Sequence, residues 1–197
     1  MSSTNRGRKQ NTCGYYRTPV SAIMEFLLEF NKEKQIPWSA ARVLDPCAGG
    51  DDRHSIMPYP TAIESITGKD KKYIRTIDIR EDSMAEIKAD YLEYNIDNLG
   101  PRPDVIITNP PFALSHEIIQ KSLRDVADDG WVIMLLRLNY LEGQSRKPFW
   151  VVTMPQYIFV HSARMSFTDD GKTDSIAYAH YVFKKNNYPE FAKIKVI

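Results

Sequence analysis

The chain has little cysteine, no long hydrophobic run, no Gly-x-Gly-x-x-Gly fingerprint and no surplus of charge of either sign. Two cysteines, Cys13 and Cys47, are too few for a disulfide framework. The four histidines, His54, His116, His161 and His180, show no metal-ligand spacing, so a zinc site is not expected. Solvated or capping roles are expected for the first three. With neither an apolar leader nor a membrane-length segment, the sequence predicts a soluble protein of a reducing, intracellular compartment. Its 26 Lys and Arg against 25 Asp and Glu give a net charge of +1, which excludes a global attraction to polyanions and leaves only local basic clusters. Arg6, Arg8, Lys9 and Arg17 precede the first acidic residue, Glu25, and Arg146-Lys147 form a second cluster. A solvated tail and a solvated loop account for both clusters equally well.

What the chain does have is alternation. At 197 residues, 43% of them hydrophobic, it can bury one sizeable core and is short for two domains. Residues 1–14 read as a polar, basic, flexible tail and 15–197 as a single domain. Thr18 as N-cap and Pro19 at the first helical position open a predicted helix that places Ile23, Phe26, Leu27 and Phe30 on one face and ends before Pro37. Arg42 to Asp45 and Tyr73 to Asp78 read as strands. Asp104 to Thr108 and Trp131 to Leu136 are near-continuous apolar runs, the pattern of strands covered on both faces. A helix from Ser115 to Val126 is expected to bury Ile119, Leu123 and Val126. Asp51 to Lys72 is longer than a tight connection requires; Met57-Pro58-Tyr59-Pro60 reads as an interruption, Thr61 to Ile66 as a short helix, and the rest as a surface excursion.

This order predicts an α/β fold, an open and mostly parallel sheet with helices on both faces. Ligands of such sheets sit beyond the carboxyl ends of the strands. Asp45, Asp78, Asn109 and Arg137 all fall at predicted strand ends and are expected to converge on one cleft.

Asn109-Pro110-Pro111-Phe112, at the end of one apolar run, joins an amide acceptor, a stiff backbone and an aromatic face. An amine on a purine ring or an amide is a weak nucleophile because its lone pair is delocalised. If the Asn109 side-chain oxygen and the Pro110 carbonyl each accept one amine hydrogen, the nitrogen is drawn toward tetrahedral geometry and its lone pair is aimed. Proline fixes its own φ near −65° and restricts the preceding residue. Phe112 offers a stacking face, typically worth about 1–3 kcal/mol for a base. A proline-rich turn capping a strand is the plainer reading. Upstream, Asp45-Pro46-Cys47-Ala48-Gly49-Gly50 reads as a strand running into a small-residue turn, where backbone approaches a ligand closely. Cys47 inside that turn suits a small, close-packed role better than a nucleophile's. Asp78 ends the next strand, where nucleotide-binding α/β folds place a ribose-binding carboxylate.

In this order the segments resemble the class I S-adenosylmethionine-dependent methyltransferases, specifically the amino-methyltransferases with the signature Asn/Asp-Pro-Pro-Tyr/Phe. The resemblance covers most of the chain. It implies a Rossmann-like fold with a mostly parallel seven-stranded sheet, and S-adenosyl-L-methionine as cofactor. Tyr16, Thr18 and Pro19 lie in a stretch similar to the family's N-terminal cofactor motif, and Asp45 through Gly50 in one similar to its first motif. Asp78 matches the ribose carboxylate, with Ile79 beside it, and Asp90-Tyr91 the motif that contacts the cofactor's adenine. Asn109 to Phe112 matches the catalytic motif, with Asn109 also against the cofactor. The motif order is most similar to adenine-specific DNA methyltransferases, including short phage-type members. So is Arg164-Met165-Ser166-Phe167 followed by Gly171-Lys172-Thr173-Asp174 and Tyr178-Ala179-His180. The resemblance implies a DNA partner whose adenine is flipped out of the stack, no metal, and the cytoplasm of a bacterium or phage-infected host.

Three positions depart from the pattern. Asp51 follows Gly49-Gly50 where Gly-x-Gly is frequent, and His180 stands where tryptophan is common. The chain stops at Ile197, where sequence-reading members usually carry a separate target-recognition domain, so none is expected. Gln156 to Phe183 reads as strands around a polar turn; it makes Phe167 a candidate second stacking ring and Arg164 or Lys172 a candidate phosphate contact, unless Phe167 is core and the charges are solvated. The Asn139 to Pro148 loop, with Arg137 before it and Arg146 and Lys147 within it, is a candidate substrate-gripping loop. Two other classes of function remain open from the residues. One is methylation of another planar nitrogen, in RNA or a protein glutamine, and the other a noncatalytic cofactor-binding or nucleic-acid-mimicking module.

Overall fold

The computed structural model describes residues 16–51, 56–168, 171–173 and 175–197. Arg6, Arg8, Lys9, Cys13, His54 and Asp174, named above, lie outside these residues. Eight strands form one sheet: β1 (Val43–Asp45), β2 (Ile74–Asp78), β3 (Ile87–Lys88), β4 (Val105–Thr108), β5 (Trp131–Arg137), β6 (Tyr157–Val160), β7 (Tyr178–Lys184) and β8 (Lys193–Val196). Their order is β3-β2-β1-β4-β5-β7-β6-β8. All neighbours are parallel except at β7, which runs antiparallel to both β5 and β6.

The period-2 alternation of strand side chains explains the layering. Val43, Val105, Ile107, Ile133, Phe159 and Val182 face helices α1 (Val20–Glu33) and α2 (Pro58–Thr67) in one core. Leu44, Ile106, Val132, Met134, Ile158, Tyr181 and Phe183 face α3 (Ser115–Asp125) and α4 (Lys147–Val152) in the other. The central strands are therefore apolar on both sides, as the continuous hydrophobic runs predict.

The differences from the sequence reading have local causes. The sheet has eight strands rather than seven: β3 is only two residues long, and β8 is a Lys-Ile-Lys-Val edge strand exposed along most of its length. Neither carries a buried stripe to read. Pro58 and Pro60 do not interrupt a helix but start one, because proline in a first turn has no amide that needs a partner. Gly68, at φ 73°, closes that helix in the left-handed conformation. In α3, Leu123 is only half-buried, while Lys121 and Asp125 are buried as an ion pair 3.0 Å apart.

Two corrections bear on the site. Thr18 is not a helix cap, for Pro19 holds the cap position of α1 with no side-chain bond. His161 is neither solvated nor capping: it is buried, with Nε2 2.8 Å from Nδ1 of fully buried His180. His180 in turn stacks on Phe26 at 4.1 Å and meets the Tyr59 hydroxyl at 3.1 Å. Burial pushes His161 down to about 4 and His180 well below its ordinary range, so the pair is neutral at physiological pH.

Candidate functional site

A cleft opens beyond the carboxyl ends of β1, β2 and β4, lined by Tyr16, Pro46, Cys47, Asp78, Ile79, Arg80, Asp90, Tyr91, Leu92, Asn109, Pro110, Pro111, Phe112, Leu114 and Ile118. Of the four strand-end residues expected to converge there, Asp78 and Asn109 line it. Asp45 lies beneath it, fully buried. Arg137 is not in it: β5 is one strand further along, and the Arg137 guanidinium lies over Phe112, its central carbon 4.5 Å from the ring centroid, and lines a separate cavity.

The glycine turn is tied to the end of β2. Gly49 and Gly50 take φ of 67° and 77°, a region that side chains disfavour. The Gly49 amide donates to Asp78 Oδ2 at 2.8 Å, and Ser83 Oγ donates to the Gly49 carbonyl at 2.7 Å. Asp78 Oδ1 accepts from the Arg80 amide at 2.9 Å, and the Arg80 guanidinium donates to the Gly50 carbonyl at 2.6 Å. Asp78 thus spends one lone pair per oxygen on backbone; Oδ1 also lies 3.4 Å from Arg80 Nε in a buried ion pair, so Oδ2 keeps the freer lone pair for a ligand hydroxyl. Sequence reasoning missed Arg80; its one signal was a cation two residues past a strand-ending acid. A Cβ at Gly50 would lie 2.9 Å from the Met84 Cβ. Gly50→Ala is therefore expected to destabilise the fold by about 2 kcal/mol or more, read as a lower midpoint in urea, and to weaken any ligand resting on the turn.

Asn109 carries the most specific geometry. Its Nδ2 donates to the Thr18 hydroxyl at 3.0 Å and to the Tyr16 carbonyl at 3.3 Å. A carbonyl only accepts, so these partners fix which way the amide faces. Its Oδ1 is buried with no hydrogen-bond partner. An orphaned acceptor in a cleft is unfavourable unless a ligand donor completes it.

Asp45 is the second orphan. Oδ1 accepts from the Cys47 amide at 3.2 Å, while Oδ2 has no partner of ordinary geometry. Burial pushes the carboxyl up to about 7, opposed by the nearby Thr108 hydroxyl and the Cys47 amide and reinforced by Asp78. Cys47 is held as a thiol, raised well above its ordinary range by burial and then by Asp45 and Asp78, which is the state of an inert cysteine.

The remaining candidates are distributed around this centre. Tyr91 is buried, with its hydroxyl 3.3 Å from Ser122 Oγ, and Asp90 is exposed and accepts from the Leu92 amide at 2.9 Å. Tyr16 lies near-parallel to Phe112, centroids 6.2 Å apart. Phe167 is packed edge-on against Tyr16 and Tyr178, behind Tyr16 rather than in the cleft. With Pro19 and Arg164 it lines a separate groove of about 660 Å³. Arg146 is drawn back onto its own loop, its Nε donating to the Tyr140 carbonyl at 2.9 Å. Lys147 and Lys172 are exposed and line neither the cleft nor the groove. Among the described residues no group of three or more His, Cys, Asp or Glu side chains is placed to hold a metal ion, and no helix is long and apolar enough to cross a membrane.

No protein-family model matches the chain, and no curated protein sequence matches it. Solved structures do match. A putative class I S-adenosylmethionine-dependent methyltransferase from Listeria monocytogenes superposes with a TM-score of 0.61 at 12% identity, over 92% of this chain and 65% of that one. The methyltransferase subunit of a type I restriction-modification system from Streptococcus thermophilus gives 0.62 at 12%, over 93% and 47%. A putative RNA methyltransferase from Pyrococcus horikoshii gives 0.54 at 14%, over 93% and 94%. The chain thus spans less than two thirds of the first structure and less than half of the second. With the sheet order and the strand-end cleft, these likenesses establish the architecture: the chain has the fold of the class I S-adenosylmethionine-dependent methyltransferases.

Proposed function

We propose that this protein transfers a methyl group from S-adenosyl-L-methionine to the exocyclic amine of adenine in DNA. The observation that carries the reading is the orphaned carbonyl oxygen of Asn109, a residue that lines the cleft and whose amide is oriented by Tyr16 and Thr18. The donor set fits the cofactor. Asp78 has lone pairs left for ribose hydroxyls, Ile79 and Tyr91 offer apolar faces for a purine beside Asp90, and the turn from Asp45 to Gly50 brings backbone close. When bound, the cofactor supplies a methyl group activated by its sulfonium.

The chain's own residues do the rest. Asn109 Oδ1 and the Pro110 carbonyl accept hydrogen bonds from the two amine hydrogens and so aim the nitrogen's lone pair; as the carbon–nitrogen bond forms and the methyl–sulfur bond breaks, the nitrogen releases one of those protons to solvent. Pro110 and Pro111 keep both acceptors from drifting. Phe112 stacks on the base, with Tyr16 across from it in the role that sequence alone gave to Phe167. An adenine in a duplex would first leave the stack, at a cost of a few kcal/mol.

A second reading places the same chemistry on RNA, favoured by the Pyrococcus horikoshii likeness, which spans nearly all of both chains. Incubation with methyl-labelled cofactor and unmodified double-stranded DNA, RNA or protein extract, followed by digestion, separates the two. Label in N6-methyladenine from DNA is the expected result. Label in RNA or protein transfers the chemistry to that substrate, and cofactor binding without label anywhere leaves a noncatalytic module.

A further inference from the structure

Next to Phe112 lies a cavity of about 170 Å³ to which methyl transfer gives no role, with Ser115, Arg137, Asn139 and Arg146 in its wall. Arg137 ends β5, where it pairs with Tyr178 across the ladder and its carbonyl accepts from the Tyr181 hydroxyl at 3.4 Å. Its position is thus set by the sheet rather than by a loop. Its guanidinium lies over Phe112, and its Nε is buried with no hydrogen-bond partner. Among the described residues no carboxylate pairs with it. A half-buried cation without a counter-ion is unfavourable unless an anion arrives from outside. Arg146 brings a second guanidinium to the same cavity, stacked 4.7 Å over Tyr140 and anchored to the Tyr140 and Glu142 carbonyls. Neither carbonyl neutralises its charge. Glu142 itself stands exposed at the rim.

We propose that this cavity binds a phosphodiester of the nucleic acid whose target base lies in the cleft on the other side of Phe112. The inference rests on the reading above and adds to it the contact that sets strand position. Phe112 lines both the cleft and the cavity, so the two sites are neighbours. Two sheet- and loop-anchored guanidiniums suit the forked geometry of a phosphate.

The test measures binding of a fluorescent adenine-containing oligonucleotide across a salt series, for the wild type, Arg137→Gln and Arg137→Lys. Arg137→Gln is expected to weaken binding about 5- to 30-fold regardless of sequence and to lower the slope of log K against log salt by roughly 0.7 to 0.9. Arg137→Lys should keep most of that slope. One neutral methylphosphonate linkage beside the target adenine should reproduce the weakening in the wild type and add nothing in Arg137→Gln. Cofactor affinity should not change in either variant, and the thermal midpoint of Arg137→Gln should not fall. An unchanged slope in Arg137→Gln overturns the proposal even if kcat falls, since Arg137 would then only position Phe112. It is equally overturned if inorganic phosphate binds in an Arg137-dependent way while oligonucleotide binding ignores the substitution. DNA methylation with an unchanged slope defeats the phosphate site alone; a wild type that neither binds nor methylates nucleic acid defeats the functional reading as well.

Discussion

Asn109→Ala should lower methyl transfer by at least about 10³-fold while leaving cofactor affinity within a few-fold, because losing one preorganised polar group at a reacting centre typically costs a factor of about 10² to 10³ and here positioning of the amine is lost as well. The split between the two readouts is the informative part. Asn109 lines the cleft, and its Oδ1 is buried without a partner, while Nδ2 is spent on Tyr16 and Thr18. Truncation therefore removes the proposed amine acceptor together with the Nδ2 bonds to Tyr16 and Thr18. Asn109→Asp separates these effects, for it keeps an acceptor toward the cleft, loses the donor to the Tyr16 carbonyl, and should retain far more activity than Asn109→Ala. Single-turnover rates and cofactor titration of both variants check this. A parallel loss of rate and cofactor affinity in Asn109→Ala would mean that the side chain serves the cofactor rather than the amine.

Asp45→Asn is expected to stabilise the protein at alkaline pH and to weaken cofactor binding. The carboxyl's ordinary value is 3.8 and burial raises it to about 7, so folding takes up a proton between those values. Stability from this group is therefore greatest below about pH 4, falls as pH rises toward 7, and above 7 carries the full penalty of a buried charge, on the order of 4 kcal/mol. Asparagine is neutral throughout, and its amide can donate to the nearby Thr108 Oγ1, which makes no hydrogen bond of ordinary geometry in the wild type. The variant should match the wild type near pH 4 and exceed it at pH 8, as seen in urea unfolding at the two pH values. If the ionised carboxylate is what the cofactor's cationic amino-acid end requires, wild-type affinity should rise with pH through 7, and the rise should vanish in Asp45→Asn. A variant less stable than the wild type at pH 8 would show that the carboxylate is better compensated than its surroundings indicate.

Such a carboxylate, unfavourable for the fold, is the kind of feature a sequence can point to but not locate. The end of a short strand was readable at Asp45, as was the acid at Asp78, because apolar runs stop there. That Asp45 lies under the turn while Asp78 borders the cleft depends on which sheet face each side chain takes, and a three-residue strand does not declare this. Arg137 failed the convergence expectation for a related reason: its strand end was found, but β5 is one strand further along than β4. The central sheet was legible in Val105–Thr108 and Trp131–Arg137, where burial on both faces leaves no polar residue until the strand ends. The edge strands β3 and β8 were not, being mostly solvent-facing. Thr18 shows the limit of local rules: its hydroxyl suits a helix cap, and only the fold reveals that Asn109 takes it instead, across 91 residues. Phe167 was the aromatic candidate in the sequence and Tyr16 only part of a cofactor motif; the fold packs Phe167 against Tyr178 behind Tyr16, and it is Tyr16 that lines the cleft.

The central claim is that Asn109 presents a fixed acceptor beside the reactive methyl. A crystal structure with bound S-adenosylmethionine tests it most directly. The account predicts the methyl carbon within about 4 to 5 Å of Asn109 Oδ1, leaving room for an amine nitrogen hydrogen-bonded to the oxygen and in line with the carbon. A cofactor whose methyl points away from Asn109, or an Asn109 carbonyl turned out of the cleft when the cofactor is present, would contradict it.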